Sequence, residues 1–306
     1  MWSIERRFKI AIVVLLVALT IGVVGASVYS GLNPPYNDPI DEVVDVDCTI
    51  TVMSFNVRTL NLSSDKDPND NIDLRTPLML KHIADANPDV IGMQEYLFAH
   101  EGAFKEELVK TYGFVGESRD GSFIGEMSAI FYKLDRFELV DSFTYWISET
   151  PEELSLGWDA NIFRVCTVAI LRDKLNDKII RFGNVHLDHI AKVASEEGTK
   201  LVIDRAVASE YPAIQVGDFN YDITTSKYQY CIDKMDDTRL LAPNAVTTSS
   251  YNAWDNRKIN DGGNPIDHIF VSKDLFDVYS YEVLSYKVDG LFSSDHFPVV
   301  AKIELK

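Results

Sequence analysis

Three cysteines, Cys48, Cys166 and Cys231, are all that 306 residues carry, and no two of them stand in a CxxC spacing. That excludes a disulfide scaffold and a zinc–thiolate centre. Cys166 lies in the apolar run Val165-Cys166-Thr167-Val168-Ala169-Ile170, the setting of a core residue rather than a nucleophile. Positive charge is scarce too: 29 Lys and Arg stand against 47 Asp and Glu, a formal net charge of -18. A broad basic face for gripping a polyphosphate backbone is not expected from that balance, although one bound metal ion can supply positive charge locally. Internal repeats and low-complexity stretches are absent. Asp65, Asp67, Asp70 and Asp73 do not make a calcium loop, because the EF-hand spacing and its terminal Glu are missing; a solvated acidic loop is expected.

Long apolar runs are also missing, with one exception. Arg6, Arg7 and Lys9 precede an uncharged stretch from Ile10 to Val28. A bilayer-spanning helix needs about 20 residues, whereas the apolar core of a cleaved signal peptide runs to roughly 7–15. An uncleaved anchor over residues 1–30 is therefore expected. Val24-Gly25-Ala26 offers a small-residue cleavage site for the competing secreted form. Basic residues stay on the cytoplasmic side, so either form places the rest of the chain outside the cytoplasm. Pro34, Pro35 and Pro39 mark residues 31–47 as an extended linker, leaving 48–306 as the folded domain.

Within that domain the hydrophobic pattern predicts strands over 49–57, 90–93, 129–132, 137–147, 165–171, 179–186, 213–216, 268–271, 281–284 and 299–303. Helices are predicted from Pro77, placed in a first turn, to about Ala86, and from 191 to 208. Many strands with a few interspersed helices indicate a layered α/β or α+β domain, and periodicity leaves open whether it holds one doubly wound sheet or two packed sheets.

Polar residues gather where predicted strands end. The segments are Met53-Ser54-Phe55-Asn56, Ile91-Gly92-Met93-Gln94-Glu95, Asn184-Val185-His186-Leu187-Asp188-His189, Val216-Gly217-Asp218-Phe219-Asn220 and Ser293-Ser294-Asp295-His296. Asn56, Glu95, Asp218, Asn220, Asp267 and Asp295 supply hard oxygen atoms of the kind Mg2+ prefers, and His186, His296 and Arg164 supply donors for phosphoryl oxygens. Singly, each has an ordinary structural explanation: an Asx turn, a solvated Glu, a capping Asp, a buried imidazole. Their recurrence in a set order tips the balance.

That order resembles the endonuclease/exonuclease/phosphatase superfamily, typified by pancreatic deoxyribonuclease, exonuclease III and the inositol polyphosphate 5-phosphatases. The resemblance runs from Thr49 to Ile303 through Ser-Phe-Asn-Val, Gln-Glu, Asn-x-His-Leu-Asp, Gly-Asp-Phe-Asn, Ile-Asp-His-Ile and Ser-Asp-His-Phe-Pro-Val, with no motif position degraded. Trp146-Ile147-Ser148-Glu149-Thr150-Pro151, Gly157-Trp158-Asp159-Ala160 and Arg164 resemble a subgroup of bacterial and fungal members.

The resemblance implies a four-layer α/β (α+β) sandwich, two packed mixed sheets flanked by helices, with the site at one edge. It implies Asn56, Glu95 and Asp295 as metal ligands, for Mg2+ with Mn2+ or Ca2+ as alternatives. Asp218 is implied to position or deprotonate the attacking water, with Asn220 beside it on the phosphate. His296, oriented by Asp267, is implied to contact the scissile phosphate, and His186 to be a second donor paired with Glu126. Arg164 is implied on the substrate side. The expected function is metal-dependent phosphoester hydrolysis outside the cytoplasm, by a monomer. Its substrate would be a nucleic acid, a phospholipid headgroup or a small phosphate ester. A non-catalytic surface binding domain of the same fold is the alternative. Segments 60–73 and 150–162 are expected to shape specificity.

Overall fold

The computed structural model describes residues 47–60, 71–98, 102–122 and 125–306. The expected anchor, nearly all of the linker and the acidic loop at 61–70 lie outside the described residues. Among the described residues, no helix is long and apolar enough to cross a membrane.

Among the described residues, twelve strands form two six-stranded sheets. The first is built from β1 (Ile50–Asn56), β2 (Val90–Tyr96), β3 (Tyr112–Val115), β4 (Met127–Lys133), β11 (Phe276–Val283) and β12 (Val299–Leu305), in the order β11-β12-β1-β2-β4-β3. The second is built from β5 (Phe137–Trp146), β6 (Val165–Asp173), β7 (Ile179–His186), β8 (Ala213–Asp218), β9 (Met235–Asp237) and β10 (Asp267–Ser272), in the order β5-β6-β7-β8-β10-β9. Each sheet is mixed, with one parallel pair near its centre: β1–β2 in the first and β7–β8 in the second. Parallel neighbours need a crossover, and a helix supplies it in both cases. These are α1 (Ile72–Ala86) between β1 and β2, and α3 (Lys192–Val207) between β7 and β8. Shorter helices are α2 (Ala103–Leu108), α4 (Ser226–Lys234) and α5 (Thr238–Leu241).

Three apolar clusters account for the layering. Ile50, Val52, Val90, Ile180, Phe182, Ile214, Val216, Ile269 and Val271 fill the space between the sheets. Met79 and Ile83 of α1 pack with Met53, Phe55, Ile91 and Met93 on the outer face of the first sheet. Val202, Ile203 and Ala206 of α3 and Cys231 of α4 pack with Val185, Phe219 and Phe270 on the outer face of the second. The order helix, sheet, sheet, helix is the expected sandwich.

A strand's side chains alternate between faces, so these clusters fix where each polar strand end points. Ile50 and Val52 face between the sheets, and Asn56 shares their parity. The same holds for His186 after Ile180 and Phe182, for Asp218 after Ile214 and Val216, and for Asp267 before Ile269. His268, one residue on, faces outward; its Nε2 meets the Tyr221 carbonyl at 3.0 Å.

Midway between the sheets the apolar filling is broken by an amide clip. Gln94 Nε2 donates to Asn184 Oδ1 at 2.7 Å, and Asn184 Nδ2 donates to the Met93 and Ala129 carbonyls at 2.9 and 2.8 Å. Gly92 makes room for it: a Cβ there would meet Val216 Cγ2 at 2.4 Å and Asn184 Cγ at 2.8 Å.

The helix at 72–86 begins before Pro77, contrary to the expected first-turn position. Asn71 caps it by accepting from the Asp73 amide at 2.9 Å, and Pro77 lies inside. The Asn71 cap, six residues upstream, offsets the hydrogen bond that proline cannot make. Strand β11 starts five residues earlier than its apolar residues suggest, because its first half is an exposed edge carrying Asp277 and Ser280.

Candidate active site

All five polar strand-end segments converge at one end of the sandwich, around a cavity of about 450 Å³. Its lining includes Glu95, Glu126, Arg164, His186, Asp218, Asn220, Asp295 and His296 from the expected set. Asn56 and Asp267 stand immediately behind, fully buried and bonded to lining residues.

Asp218 is the hub. Its Oδ2 accepts from Asn56 Nδ2 at 3.0 Å and lies 3.5 Å from His186 Nε2 and 3.7 Å from His296 Nε2. Its Oδ1 accepts the Asn220 amide at 2.9 Å. Gly217 permits the approach of β8 to β7, since a Cβ would sit 2.2 Å from the Val185 carbonyl oxygen. Burial, and then the negative charge of Asp267 beside it, push the Asp218 carboxyl up to about 7. Burial pulls the His296 ring down, but Asp267 and Asp218 outweigh it and lift the ring to about 10. His296 Nδ1 and Asp267 Oδ2 are 2.8 Å apart, the distance of a strong charged hydrogen bond. The His296 ring also packs against Tyr251, centroid to centroid 4.9 Å.

Strand parity alone would turn Glu95 outward with Ile91 and Met93. The register of β2 against β4 shifts between Met93 and Tyr96, and Glu95 takes a left-handed φ of 57°. This bulge re-aims the carboxylate into the cavity. There Oε1 accepts from Asn56 Nδ2 at 3.0 Å and Oε2 from the Thr59 amide at 2.8 Å. Arg58 and Asn220 also have positive φ, at 57° and 55°, so three strained non-glycine residues border the same cavity. Asp295 lies 3.5 Å from Arg58. Burial raises its carboxyl and Glu95 adds to the rise, against the lowering effect of His296 and Arg58.

The donor set suits a hard divalent cation. Glu95 and Asp295 are carboxylates turned into one cavity, close enough for the charge of Glu95 to raise Asp295; Asn56 stands beside them, its Nδ2 donating to Glu95 and its Oδ1 accepting from the Arg58 amide. Asp218, Asp267 and His296 also offer ligand atoms within 4.8 Å of one another. In that trio, however, Asp267 already holds one nitrogen of His296, so it reads as a hydrogen-bonded carboxylate–imidazole relay.

One implied pairing is not made. Glu126 bonds Arg119 Nη1 at 2.6 Å rather than His186. The residues that hold them explain why: the Arg119 amide donates to the Glu126 carbonyl at 2.9 Å, which fixes the two side by side. His186 instead faces Asp218. Burial, and then Arg164 and Arg119, hold its ring well below the ordinary imidazole range, so it is neutral. Burial, and then Glu95, raise the Glu126 carboxyl.

The structure adds Arg58, Thr59, Arg119, Ile162, His189, Tyr251 and Ile266 to the lining. His189 stands three residues after His186, and its Nδ1 is 3.1 Å from Arg164 Nη2. Arg119 and Tyr251 follow no pattern that singles them out. Within 150–162, Ile162 lines the cavity, while Asp159 caps α3 by accepting the Ala194 amide at 2.8 Å.

The model of the endonuclease/exonuclease/phosphatase family matches residues 53–296. A crystal structure of a protein of that family from Bacteroides thetaiotaomicron is 33% identical, with a TM-score of 0.77, covering 84% of this chain and 98% of that one. A mannosyl-6-phosphatase from the same organism is also 33% identical, with a TM-score of 0.74 and coverage of 83% and 99%. An uncharacterized protein of Acanthamoeba polyphaga mimivirus is 26% identical over 254 residues, 75% of this chain and 91% of that one.

Proposed function

The chain belongs to the endonuclease/exonuclease/phosphatase family, and on that premise we propose that it hydrolyses phosphoric esters with the help of a divalent metal ion. The observation that carries the proposal is the meeting of Asp218 with Asn56, His186 and His296 on one cavity wall, beside Glu95 and Asp295.

Water attacks phosphorus and the ester P–O bond breaks. The attacking water must lose a proton, and the charge on the phosphoryl oxygens must find donors. Asp218 is placed to orient that water and accept its proton, with Asn220 beside it. His296, oriented by Asp267, donates to a phosphoryl oxygen through Nε2. Neutral His186 donates a hydrogen bond to a phosphoryl or leaving-group oxygen, and solvent returns the proton to the leaving group. Glu95, Asp295 and Asn56 hold the ion, Mg2+ with Mn2+ or Ca2+ as alternatives. When bound, the ion supplies positive charge against that of the phosphoryl group.

A cavity of about 450 Å³ suits a small phosphorylated molecule. The mannosyl-6-phosphatase named among the structural neighbours is consistent with a phosphorylated sugar, ahead of a nucleic acid or a phospholipid headgroup. The apolar run from Ile10 to Val28 behind Arg6, Arg7 and Lys9 supports an activity outside the cytoplasm on a membrane-anchored protein.

Full-length protein stripped with EDTA should release no phosphate or alcohol from test esters, and added Mg2+ or Mn2+ should restore release. Metal binding without turnover on sugar phosphates, nucleic acids or phospholipids would favour a non-catalytic binding domain.

A further inference from the structure

Ser250 and Asn252 are fully buried on either side of exposed Tyr251, in the loop before β10. Ser250 Oγ accepts the Ile266 and Asp267 amides at 2.9 and 3.1 Å. The Ser250 carbonyl accepts the Phe297 amide at 2.6 Å. The Asn252 amide donates to the Asp295 carbonyl at 2.8 Å, and its Nδ2 donates to the Ser294 carbonyl at 3.1 Å. Between them Tyr251 pairs with His296 as an isolated bridge, ring against ring. One turn therefore grips both partners of the His296–Asp267 bond.

Those partners belong to different sheets. Asp267 opens β10 of the second sheet, and His296 leads into β12 of the first. Apolar packing between the sheets is non-directional, so it sets no single imidazole against a single carboxylate. Hydrogen bonds are directional and weaken steeply with misalignment. The turn is itself tightly held. Ala253 and Trp254 are successive non-glycine residues at φ 49° and 62°, conformations that persist only where the surroundings dictate them. Asn252 Oδ1 accepts the Trp254 amide at 2.8 Å, and the Trp254 ring meets Phe292 edge-on at 6.4 Å against the core between the sheets.

We propose that Ser250 and Asn252 are positioning residues: the turn they bound clasps the loop carrying Asp295 and His296 to the head of β10, and so sets the distance between His296 and Asp267. Neither side chain lines the cavity, and both act through the groups they hold. The consequence for catalysis rests on the phosphoester-hydrolase reading; the consequence for geometry does not.

The first experiment needs neither metal nor turnover. Proton NMR of EDTA-treated full-length protein should show a far-downfield imidazole proton from the His296–Asp267 bond, identified by its loss in His296→Gln. Ser250→Ala removes the acceptor of two amides, and Asn252→Ser keeps an acceptor for Trp254 but loses the donor to Ser294. Each should move that resonance upfield or broaden it away while the circular dichroism spectrum is retained. If one variant fails to fold, the other decides. Ser250→Thr, which keeps the hydroxyl, should restore the wild-type position. An unmoved resonance in the folded variants, or none in the wild type, overturns the clasp.

The second experiment follows p-nitrophenyl phosphate at saturating Mg2+. Ser250→Ala and Asn252→Ser should lower kcat by about 10- to 10²-fold with KM changed by less than about threefold, the scale of a displacement of about 1 Å at the reacting groups. Ser250→Thr should recover most of kcat. An unchanged kcat, or a loss confined to KM, overturns the positioning role. A wild type that cleaves no ester refutes the hydrolase reading, and the NMR comparison alone then decides whether the turn positions His296.

Discussion

Asp218 on β8 and Asp267 on β10 are direct register partners, two fully buried carboxylates side by side with one imidazole, His296, between them. Like charges opposite each other in a sheet are unfavourable, so the pair persists only with His296 to bridge it. Asp267 Oδ1 is buried with no hydrogen-bond partner among the described residues, while Oδ2 meets the His296 ring. Asp267→Asn should keep the fold, because the amide can still accept at one atom from His296. It should lower kcat by about 10²- to 10⁴-fold, the range lost when a positioned acid–base group is disabled. Steady-state kinetics beside a circular dichroism spectrum check this; near-normal kcat would remove Asp267 from the mechanism.

Glu95 is the test of the metal proposal. Mg2+ should raise the midpoint of thermal unfolding in the wild type through binding to the native state alone. Glu95→Gln should abolish that rise at the same Mg2+ concentration while the metal-free midpoint stays level or falls, since burial raises the Glu95 carboxyl but hydrogen bonds from Thr59 and Asn56 outweigh it and hold the group below its usual range in the folded state. An unchanged Mg2+ response in Glu95→Gln would move the metal elsewhere.

The Gln94–Asn184 clip makes a stability prediction. Asn184→Ala removes the shortest of the Gln94 Nε2 acceptors, leaving it Ser54 Oγ and the Gly92 carbonyl, and takes the Nδ2 donor from the Met93 and Ala129 carbonyls between the sheets. The cost should be about 3 kcal/mol, read as a lower midpoint in urea with an unchanged slope. A loss below about 0.5 kcal/mol would mean that the clip is dispensable.

His82 gives the acid limb of stability. Its ring is fully buried on α1 against Tyr286, at 4.5 Å, with neither nitrogen hydrogen-bonded among the described residues. Burial lowers its pKa from 6.5 to about 4, with Asp85 opposing and Lys81 assisting. Below pH 6.5 the unfolded chain binds a proton that the folded chain does not. Stability contributed by neutral His82 is therefore complete above that pH and declines as pH falls toward 4. The loss should approach about 3 kcal/mol. His82→Leu should flatten this limb in urea melts run between pH 4 and 7, and an identical limb in the variant would assign it to other groups.

The strands were legible because their half-buried faces alternate, and the site was legible because Asn56, His186, Asp218 and Asp267 share the parity of the apolar residues before them. Other features left no such trace. Glu95 reaches the cavity through a bulge that its neighbours do not announce. Helix α4 has a mixed sequence and depends on Thr225, which accepts the Tyr228 amide at 3.2 Å, for its start. Arg119, drawn to Glu126 by a local backbone hydrogen bond, displaces the implied Glu126–His186 pair. Arg58 and Tyr251 enter the site from loops, where no period applies.

The most direct measurement sets wild type and Asp218→Asn side by side on p-nitrophenyl phosphate and bis-p-nitrophenyl phosphate, with Mg2+ and with EDTA. The wild type should release p-nitrophenol only with the metal, and Asp218→Asn should lose at least about 10³-fold in rate while folding and Mg2+-induced stabilisation are retained. Comparable release by the variant, or release that persists in EDTA, would contradict this mechanism.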